Sequence, residues 1–360
     1  MLTEKLNQEQ KIEVKKVCPK LTSFFGKKHK SVYEVCCCLY QSIDSYLNDL
    51  KSNKKHQKMN KYVQRCQEIF QHGDQEKIKE LISYEYYNKS LVLLMKNPDV
   101  FQFEDKKIII NLLQNSLLDE QGLLRPSINT TEQYLKSIHI QNIVNDLCDK
   151  FEEMSFYVGS VIRIVSESKE LLGQILSMYL INKIFNHLNS NQFIIQCEAV
   201  EVINQLFLNR KNTNTKTVAS QFLEEKSVEI EQTFRKSLQD NQNYTGIRMI
   251  LKILYKILSD PIYHAFATHF LSIENLKMIL QIAANEDQAL RKEAFLILDL
   301  FINLVQEKQD EKLKQIFKKN YQNILGVIQT FNDSKIEGEK EELDKVDTNF
   351  LIHRLHSVSF

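Results

Sequence analysis

Glycine and proline are scarce in this sequence of 360 residues, which contains only 8 glycines and 4 prolines. An average soluble domain uses about 7% glycine and about 5% proline. Hairpin turns and strand corners need the positive φ of glycine or the fixed φ of proline, so a β-rich or α/β chain should contain many more of both. The shortage predicts long helices that are joined by polar turns.

The sequence also lacks an excess of charge of either sign. It has 47 lysines and arginines against 46 aspartates and glutamates, for a net charge of +1. Such a chain has no overall field that attracts nucleic acid or an anionic membrane. Its longest apolar runs are too short to span a bilayer, and its charged N-terminus does not resemble a signal peptide. We therefore expect a soluble cytoplasmic protein that binds neither nucleic acid nor membrane.

Motifs of catalysis, nucleotide binding and metal binding are missing. We find no Walker-type or dinucleotide glycine loop, no H-E-x-x-H, no G-x-S-x-G and no acidic calcium loop. Cys36, Cys37 and Cys38 are consecutive, so a helix points them to different sides, and His353 and His356 have no further ligand at metal spacing. Seven cysteines fit reduced thiols better than a disulfide framework. We predict no enzyme activity, catalytic residue, cofactor or metal.

Apolar residues recur with the 3.6-residue period of amphipathic helices from about Ser31 onward. The clearest examples are Phe193–Leu208, Tyr244–Leu258, Ala289–Val305 and Lys312–Phe331. Alignment of the first three places Ala199, Ile250 and Ala294 at like positions, with shorter helices such as Glu274–Ala284 between them. Units of about 40–47 residues with two or three helices are typical of HEAT and armadillo arrays. The predicted fold is therefore all-α, an armadillo/HEAT-like right-handed helical repeat solenoid whose groove is lined by one helix from each repeat.

Polar clusters divide the chain into a tail, a repeat domain and its linkers. Residues 1–23 are predicted to be a disordered or loosely attached tail, and residues 24–357 a single armadillo-like domain. Linkers are predicted at Lys51–Lys61, Asn209–Thr217 and Asn332–Asp347. The first of these is basic but has few aromatic residues, so a solvated loop is favoured over a nucleic-acid patch.

Six short motifs, taken in their order along the chain, carry a resemblance to a known family. They are Phe24–Ser31 (FFGKKHKS), Phe103–Lys107 (FEDKK), Asn243-Tyr244 with Arg248, Ser272 with Glu274–Lys277 (ENLK), Glu293–Phe295 (EAF) and Lys319-Asn320. Together they resemble the Mo-25 (calcium-binding protein 39) family, from about Phe24 to Leu355. Each motif is weak by itself, and the ordered set is specific.

The resemblance implies a non-catalytic armadillo-like scaffold that binds and activates protein kinases or pseudokinases. Family members act in sterile-twenty, liver-kinase and nuclear-Dbf-related signalling. They use a concave face that holds a kinase, and a C-terminal pocket that takes the Trp-Glu-Phe tail of a pseudokinase. The implied partner of this chain is a kinase or pseudokinase with such a tail.

Carried over by position, the peptide-binding residues are Tyr244, Arg248, Lys277, Leu280 and Lys319. Tyr244 and Arg248 are spaced i, i+4 and share a helix face, where an aromatic beside a cation suits an acidic-aromatic peptide. Each residue also has a simpler explanation. Arg248, Lys277 and Lys319 would then be ordinary solvated charges, and for Leu280 packing into its own helix stripe is favoured.

The concave face departs from the family pattern. Pro261 stands where the family has an arginine, and His264 or Tyr263 aligns with a family phenylalanine. These departures leave open a second function, that of a structural armadillo-like component of a cytoskeletal or axonemal assembly. Association with the cytoskeleton or a cilium would follow from it.

Overall fold

The structure is a computed structural model that describes residues 31–119, 121–125, 130–208, 213–239, 243–308, 311–333 and 348–359. Of these residues, 86% are helical and none lies in a strand. A single antiparallel bridge, between Leu118 and Leu124, is the only β pairing in the described part of the chain. The predicted all-α class is confirmed.

The described residues form nineteen α-helices. The first nine are α1 (Val32–Leu47), α2 (Asn53–His72), α3 (Gln75–Ser83), α4 (Glu85–Lys96), α5 (Phe103–Leu117), α6 (Thr130–Ser137), α7 (Ile140–Cys148), α8 (Phe151–Val165) and α9 (Lys169–Ile175). The others are α10 (Met178–Leu188), α11 (Phe193–Leu208), α12 (Thr213–Glu225), α13 (Ser227–Gln239), α14 (Tyr244–Ser259), α15 (His264–Phe270), α16 (Ile273–Ala283), α17 (Gln288–Lys308), α18 (Glu311–Asp333) and α19 (Thr348–Ser359).

The helices cluster into two compact units. The first contains the described residues up to 147 together with 160–174, and the second contains 148–159 and the described residues from 175 onward. The proposed domain limits, a tail over 1–23 and one repeat domain over 24–357, stay a prediction, and the tail lies outside the described residues. No helix in the described part of the chain is long and apolar enough to cross a membrane.

In the first unit, α1 forms the centre and packs against α2 and α4. Ser31 and Glu34 close a capping box at its start, in which each side chain accepts a hydrogen bond from the other's backbone N–H. Cys36, Cys37 and Cys38 are all buried because neighbours cover α1 on several sides. Burial raises the pKa of the Cys36 thiol far above its usual range, and that of Cys66 to about 12. Cys36 and Cys66 are therefore protonated core residues.

The second unit repeats a three-helix motif. Helix α14 packs against α11 and α17 against α14, while α13 packs against α10 and α16 against α13. Helices α12 and α15 are likewise adjacent. Ala199, Ile250 and Ala294 lie at the centre of the long helices, each with no exposed surface. The helical repeat predicted from the spacing of these three residues is confirmed.

The predicted linker at Lys51–Lys61 is wrong. Helix α2 begins at Asn53 behind the cap residue Ser52, whose side chain accepts from the Lys55 N–H. The helix continues because Met59, Tyr62 and Val63 are buried on one side of it. Tertiary burial therefore outweighs the polar composition. At the second predicted linker, α12 already begins at Thr213, and most of the third lies outside the described residues.

Acid should destabilise the second unit through His187. Its ring stacks on Phe151 with the ring centroids 4.6 Å apart, and its Nε2 has no hydrogen-bond partner among the described residues. Burial lowers the pKa of His187 below its usual range. The unfolded chain therefore binds this proton more readily, so the stabilisation is complete above the unfolded pKa of about 6.5 and is lost as the pH falls through that value and then through the folded pKa.

The test is the difference in urea midpoint between about pH 7.5 and about pH 5, measured on wild type and on His187→Phe. The phenylalanine keeps the stacking and cannot take up a proton, so the variant should lose less stability in acid than wild type. His353→Phe, at an exposed histidine, should keep the wild-type pH dependence. Equal pH dependence of all three proteins would contradict a role for His187.

Candidate functional site

Tyr244 and Arg248 lie on the first two turns of α14. The helix begins there because Asn243 caps it, with its Oδ1 accepting from the Gly246 N–H at 3.2 Å. The Nδ2 of Asn243 also donates to the Ser190 carbonyl at 2.9 Å, which ties the start of α14 to the turn before α11. The position of Tyr244 is therefore determined by a contact between successive repeats.

Arg248 faces a buried carboxylate. Its Nε lies 3.5 Å from Oε1 of Glu293 on α17, and Nζ of Lys252 lies at the same distance from that oxygen. The Glu293 side chain is only 7% exposed, so its charge is held between the two cations. At 3.5 Å the contact is an ion pair, and Arg248 Nε has no hydrogen-bond partner among the described residues. Arg248 is therefore half-buried and bridges two repeats, unlike an ordinary solvated charge.

Tyr244 is 40% exposed and sits between two charges. Its pKa is raised by partial burial and by Asp287, while Arg248 acts in the opposite direction. The phenol is therefore neutral near pH 7 and can donate a hydrogen bond to an acceptor. An aromatic ring with one open face beside a guanidinium is suited to an anionic, aromatic-containing segment.

The remaining predicted residues lie on neighbouring helices. Lys277 is exposed on α16, and Leu280, on the same helix, is partly buried. Lys319 is exposed on α18. Helix α17 contacts α14, α16 and α18, and α16 also contacts α18. The fold thus brings the helices of all five residues together around α17, and the convergence of Arg248, Lys277 and Lys319 on one cleft stays a prediction.

A separate cleft of about 530 Å³ lies at the other end of α11 and α14. It is lined by Asn204 and Leu208 of α11, by Tyr255, Lys256 and Ser259 of α14, and by the Asp260-Pro261 corner. Asp260 shapes this corner, since one carboxylate oxygen binds Nζ of Lys216 at 2.7 Å and the other accepts from the Ile262 N–H at 3.2 Å. Sequence reasoning singled out Pro261 and missed the cleft, because its walls come from two repeats.

Tyr263 and His264, which follow the Asp260-Pro261 corner, differ in exposure. Tyr263 is fully buried, and its hydroxyl donates to the Phe207 carbonyl. His264 is exposed. Of the two residues aligned with a family phenylalanine, His264 is therefore the one that a partner can reach.

Potential metal ligands do not cluster. No group of three or more histidine, cysteine, aspartate or glutamate side chains in the described part of the chain is arranged to hold a metal ion. His353 and His356 are exposed on α19, as predicted for a terminal helix. His356 makes a hydrogen bond with the Tyr321 hydroxyl of α18. It therefore helps to hold α19 against α18 within the second unit.

Comparison with known proteins extends over nearly the whole sequence. The chain is 23% identical over 343 residues to a calcium-binding protein 39-like protein of Homo sapiens, covering 93% of this chain and 97% of that protein. It is 22% identical over 329 residues to a Mo25-like protein of Schizosaccharomyces pombe, covering 89% and 95%. The family model described as Mo25-like matches residues 23–359. This chain belongs to the Mo25-like family.

Proposed function

We propose that this protein is a non-catalytic cytoplasmic scaffold that binds and activates protein kinases or pseudokinases. Family membership supports a scaffold, and the family match over residues 23–359 includes every residue of the proposed pocket. The partner would carry a C-terminal tail similar to Trp-Glu-Phe. Its signalling would be of the sterile-twenty, liver-kinase or nuclear-Dbf-related type.

The geometry around Arg248 supports a peptide site of this kind. Glu293 lies beside two cations, Arg248 and Lys252, and the Lys252 side chain is 48% exposed. The Nε of Arg248 is buried and faces Glu293, while the Arg248 side chain as a whole is 40% exposed. In the proposed complex, the tail's glutamate and terminal carboxylate pair with Arg248, Lys277 and Lys319, and its rings pack against Tyr244 and Leu280.

Replacing Lys277 and Lys319 together by alanine should abolish binding of a peptide that ends in Trp-Glu-Phe. A hydrogen bond to a charged group is worth roughly 1.5–3 kcal/mol, so the loss of two should weaken binding by at least two orders of magnitude. Isothermal titration calorimetry with wild type and variant measures this effect. The melting temperature should barely change, because exposed charges contribute about 0–1 kcal/mol each to folding.

The matched control is Lys79→Ala with Lys236→Ala, which removes two exposed lysines from α3 and α13, helices that contain no residue of the proposed pocket. This variant should bind the peptide like wild type. The pocket hypothesis fails if wild type has no measurable affinity for the peptide, or if both double variants lose the same affinity.

The second candidate is a structural component of a cytoskeletal or axonemal assembly. It is favoured by the corner at Pro261, where the family's concave face has an arginine. Affinity purification with mass spectrometry separates the two functions. If a kinase or pseudokinase is recovered with wild type but not with His264→Ala, the scaffold function is supported. Recovery of tubulin-associated proteins supports the structural component.

A further inference from the structure

One side of α2 carries a row of exposed lysines. Lys54, Lys58 and Lys61 are spaced i, i+4 and i+7, so they lie on the same face of the helix, and all three are exposed. Lys51, in the turn just before the helix, is exposed as well. Four positive charges are thus placed along about 15 Å of the first unit, at a rise of about 1.5 Å per residue.

The acidic residues around this row are already engaged. Asp49 pairs with Lys55 at 3.0 Å, Asp105 makes a hydrogen bond with His56 at 3.0 Å, and Glu68 pairs with Arg65. Within the described part of the chain, Lys54, Lys58 and Lys61 take part in no ion pair. Their charge is therefore directed at solvent.

The row does not help α2 to form. The first turn of α2 contains no acidic residue, and Lys54 stands there at the positive end of the helix dipole. The helix is held by its other side, which buries Met59, Tyr62, Val63, Cys66 and Phe70. Repulsion among the lysines is a small cost to folding that a bound anion would remove.

The other exposed side chains of α2 indicate which kind of anion this row of lysines would bind. The exposed uncharged positions within this row and directly after it are Asn53, Gln57 and Gln64, so the face offers neither an aromatic ring for base stacking nor an apolar residue for membrane insertion. Arg65, whose guanidinium is the group on α2 best suited to bind a phosphate, is paired with Glu68. These features favour carboxylates over phosphates.

We propose that the lysine row, Lys51, Lys54, Lys58 and Lys61, is a docking surface for an acidic peptide segment of a partner protein. The spacing suits an extended run of glutamates or aspartates. Alternate side chains of an extended peptide are about 6.8 Å apart, and lysines one helical turn apart are about 6 Å apart along the axis. A segment of five or six acidic residues therefore matches the length of the row.

The first measurement is the binding of a fluorescein-labelled hexaglutamate peptide to the full chain, followed by fluorescence anisotropy at low salt. The lysine row should bind this probe, and hexaglutamine with the same label should not bind. Lys54→Gln, Lys58→Gln and Lys61→Gln together should weaken binding at least tenfold, because glutamine keeps the helix propensity and removes the charge. Affinity should also fall steeply between about 20 and about 200 mM salt.

The matched control is the triple variant Lys79→Gln, Lys96→Gln and Lys236→Gln, which removes the same charge from scattered exposed positions. It should bind within twofold of wild type. Carbodiimide coupling of the bound peptide, mapped by mass spectrometry, should modify Lys54, Lys58 and Lys61 more than these three lysines.

Several outcomes would overturn the proposal. They are an absence of hexaglutamate binding to wild type, an equal loss in the two triple variants, or coupling spread evenly over the surface lysines. Tighter binding of a duplex oligonucleotide, or of vesicles with about 30% phosphatidylserine, would also overturn it in favour of a phosphate-bearing partner.

Discussion

Replacing Phe234 by alanine should lower the free energy of unfolding of the second unit by about 3–5 kcal/mol. Phe234 lies on α13 and is 1% exposed. Deleting a buried ring removes its transfer free energy and leaves a cavity that rigid helices fill only in part. Few substitutions in this chain should cost as much.

The position of Phe234 between repeats is the reason for the large effect. Its ring meets Phe185 of α10 edge to face, with the ring centroids 4.8 Å apart. On the other side it meets Phe266 and Phe270 of α15, at 6.4 and 6.3 Å. Aromatic pairs of this kind contribute about 0.5–1.5 kcal/mol beyond the burial of their surface. Phe234 therefore couples three successive layers of the repeat.

The control is Phe193→Ala, which removes the same ring from a site that is 62% exposed at the start of α11. It should change stability by no more than about 0.5 kcal/mol. Urea unfolding followed by circular dichroism measures both variants. A loss of less than about 1 kcal/mol in Phe234→Ala would mean that the repeats are not coupled through this ring.

Replacing Asn275 by alanine should cost about 2–4 kcal/mol, because it removes three hydrogen bonds of a buried amide, two of them to charged groups. Asn275 lies on α16 and has no exposed surface. Its Nδ2 donates to the Phe270 carbonyl at 2.7 Å and to Oε1 of Glu231 at 3.0 Å. Its Oδ1 accepts from Arg235 at 3.1 Å. One amide therefore joins α13, α15 and α16.

The Glu231–Arg235 ion pair, at 2.6 Å, would remain in the variant but would lose its hydrogen bonds to Asn275. The Phe270 carbonyl keeps the Ser272 N–H as a donor, so the cost comes mainly from the lost hydrogen bonds to Glu231 and Arg235. Asn186→Ala, at an exposed position of α10, is the control and should be nearly neutral. Thermal unfolding of the two variants checks the prediction, and equal melting temperatures would contradict it.

The buried hydrogen bonds of Asn275 give a structural reason for one of the motifs that carry the family resemblance. Asn275 belongs to the motif Glu274–Lys277 (ENLK) by which the family can be recognised, next to the proposed pocket residue Lys277. The structure places the asparagine inside the protein and the lysine on the surface. Two positions of one motif thus differ in role, since Asn275 holds the repeat together and Lys277 is exposed to solvent.

The amphipathic helices were predictable from sequence because their period is a local property of the chain. The prediction for Phe193–Leu208 agrees with α11 at both ends, and that for Tyr244–Leu258 ends one residue before α14. Lys51–Lys61 shows the limit of this reasoning. Its composition is that of a loop, and only the burial of Met59, together with the other apolar residues of α2, makes it helical.

The candidate site was predictable only as a set of residues. Tyr244 and Arg248 share a helix face because i, i+4 spacing requires it. The partner of Arg248 could not be derived in the same way, because Glu293 is 45 residues away and reaches Arg248 only through the packing of α14 on α17. The cleft at Pro261 has the same origin, since residues of two repeats form its walls.

The sequence by itself thus determined the helical class, the repeat length and the family, because these depend on local periodicity and on the order of motifs. The tertiary structure decided which charges are buried, which are paired and which face solvent. Glu293 and Lys58 show the difference, since both are charged residues in helical segments. Packing between repeats buries Glu293 beside Arg248 and Lys252, and it leaves Lys58 exposed on the outer side of α2.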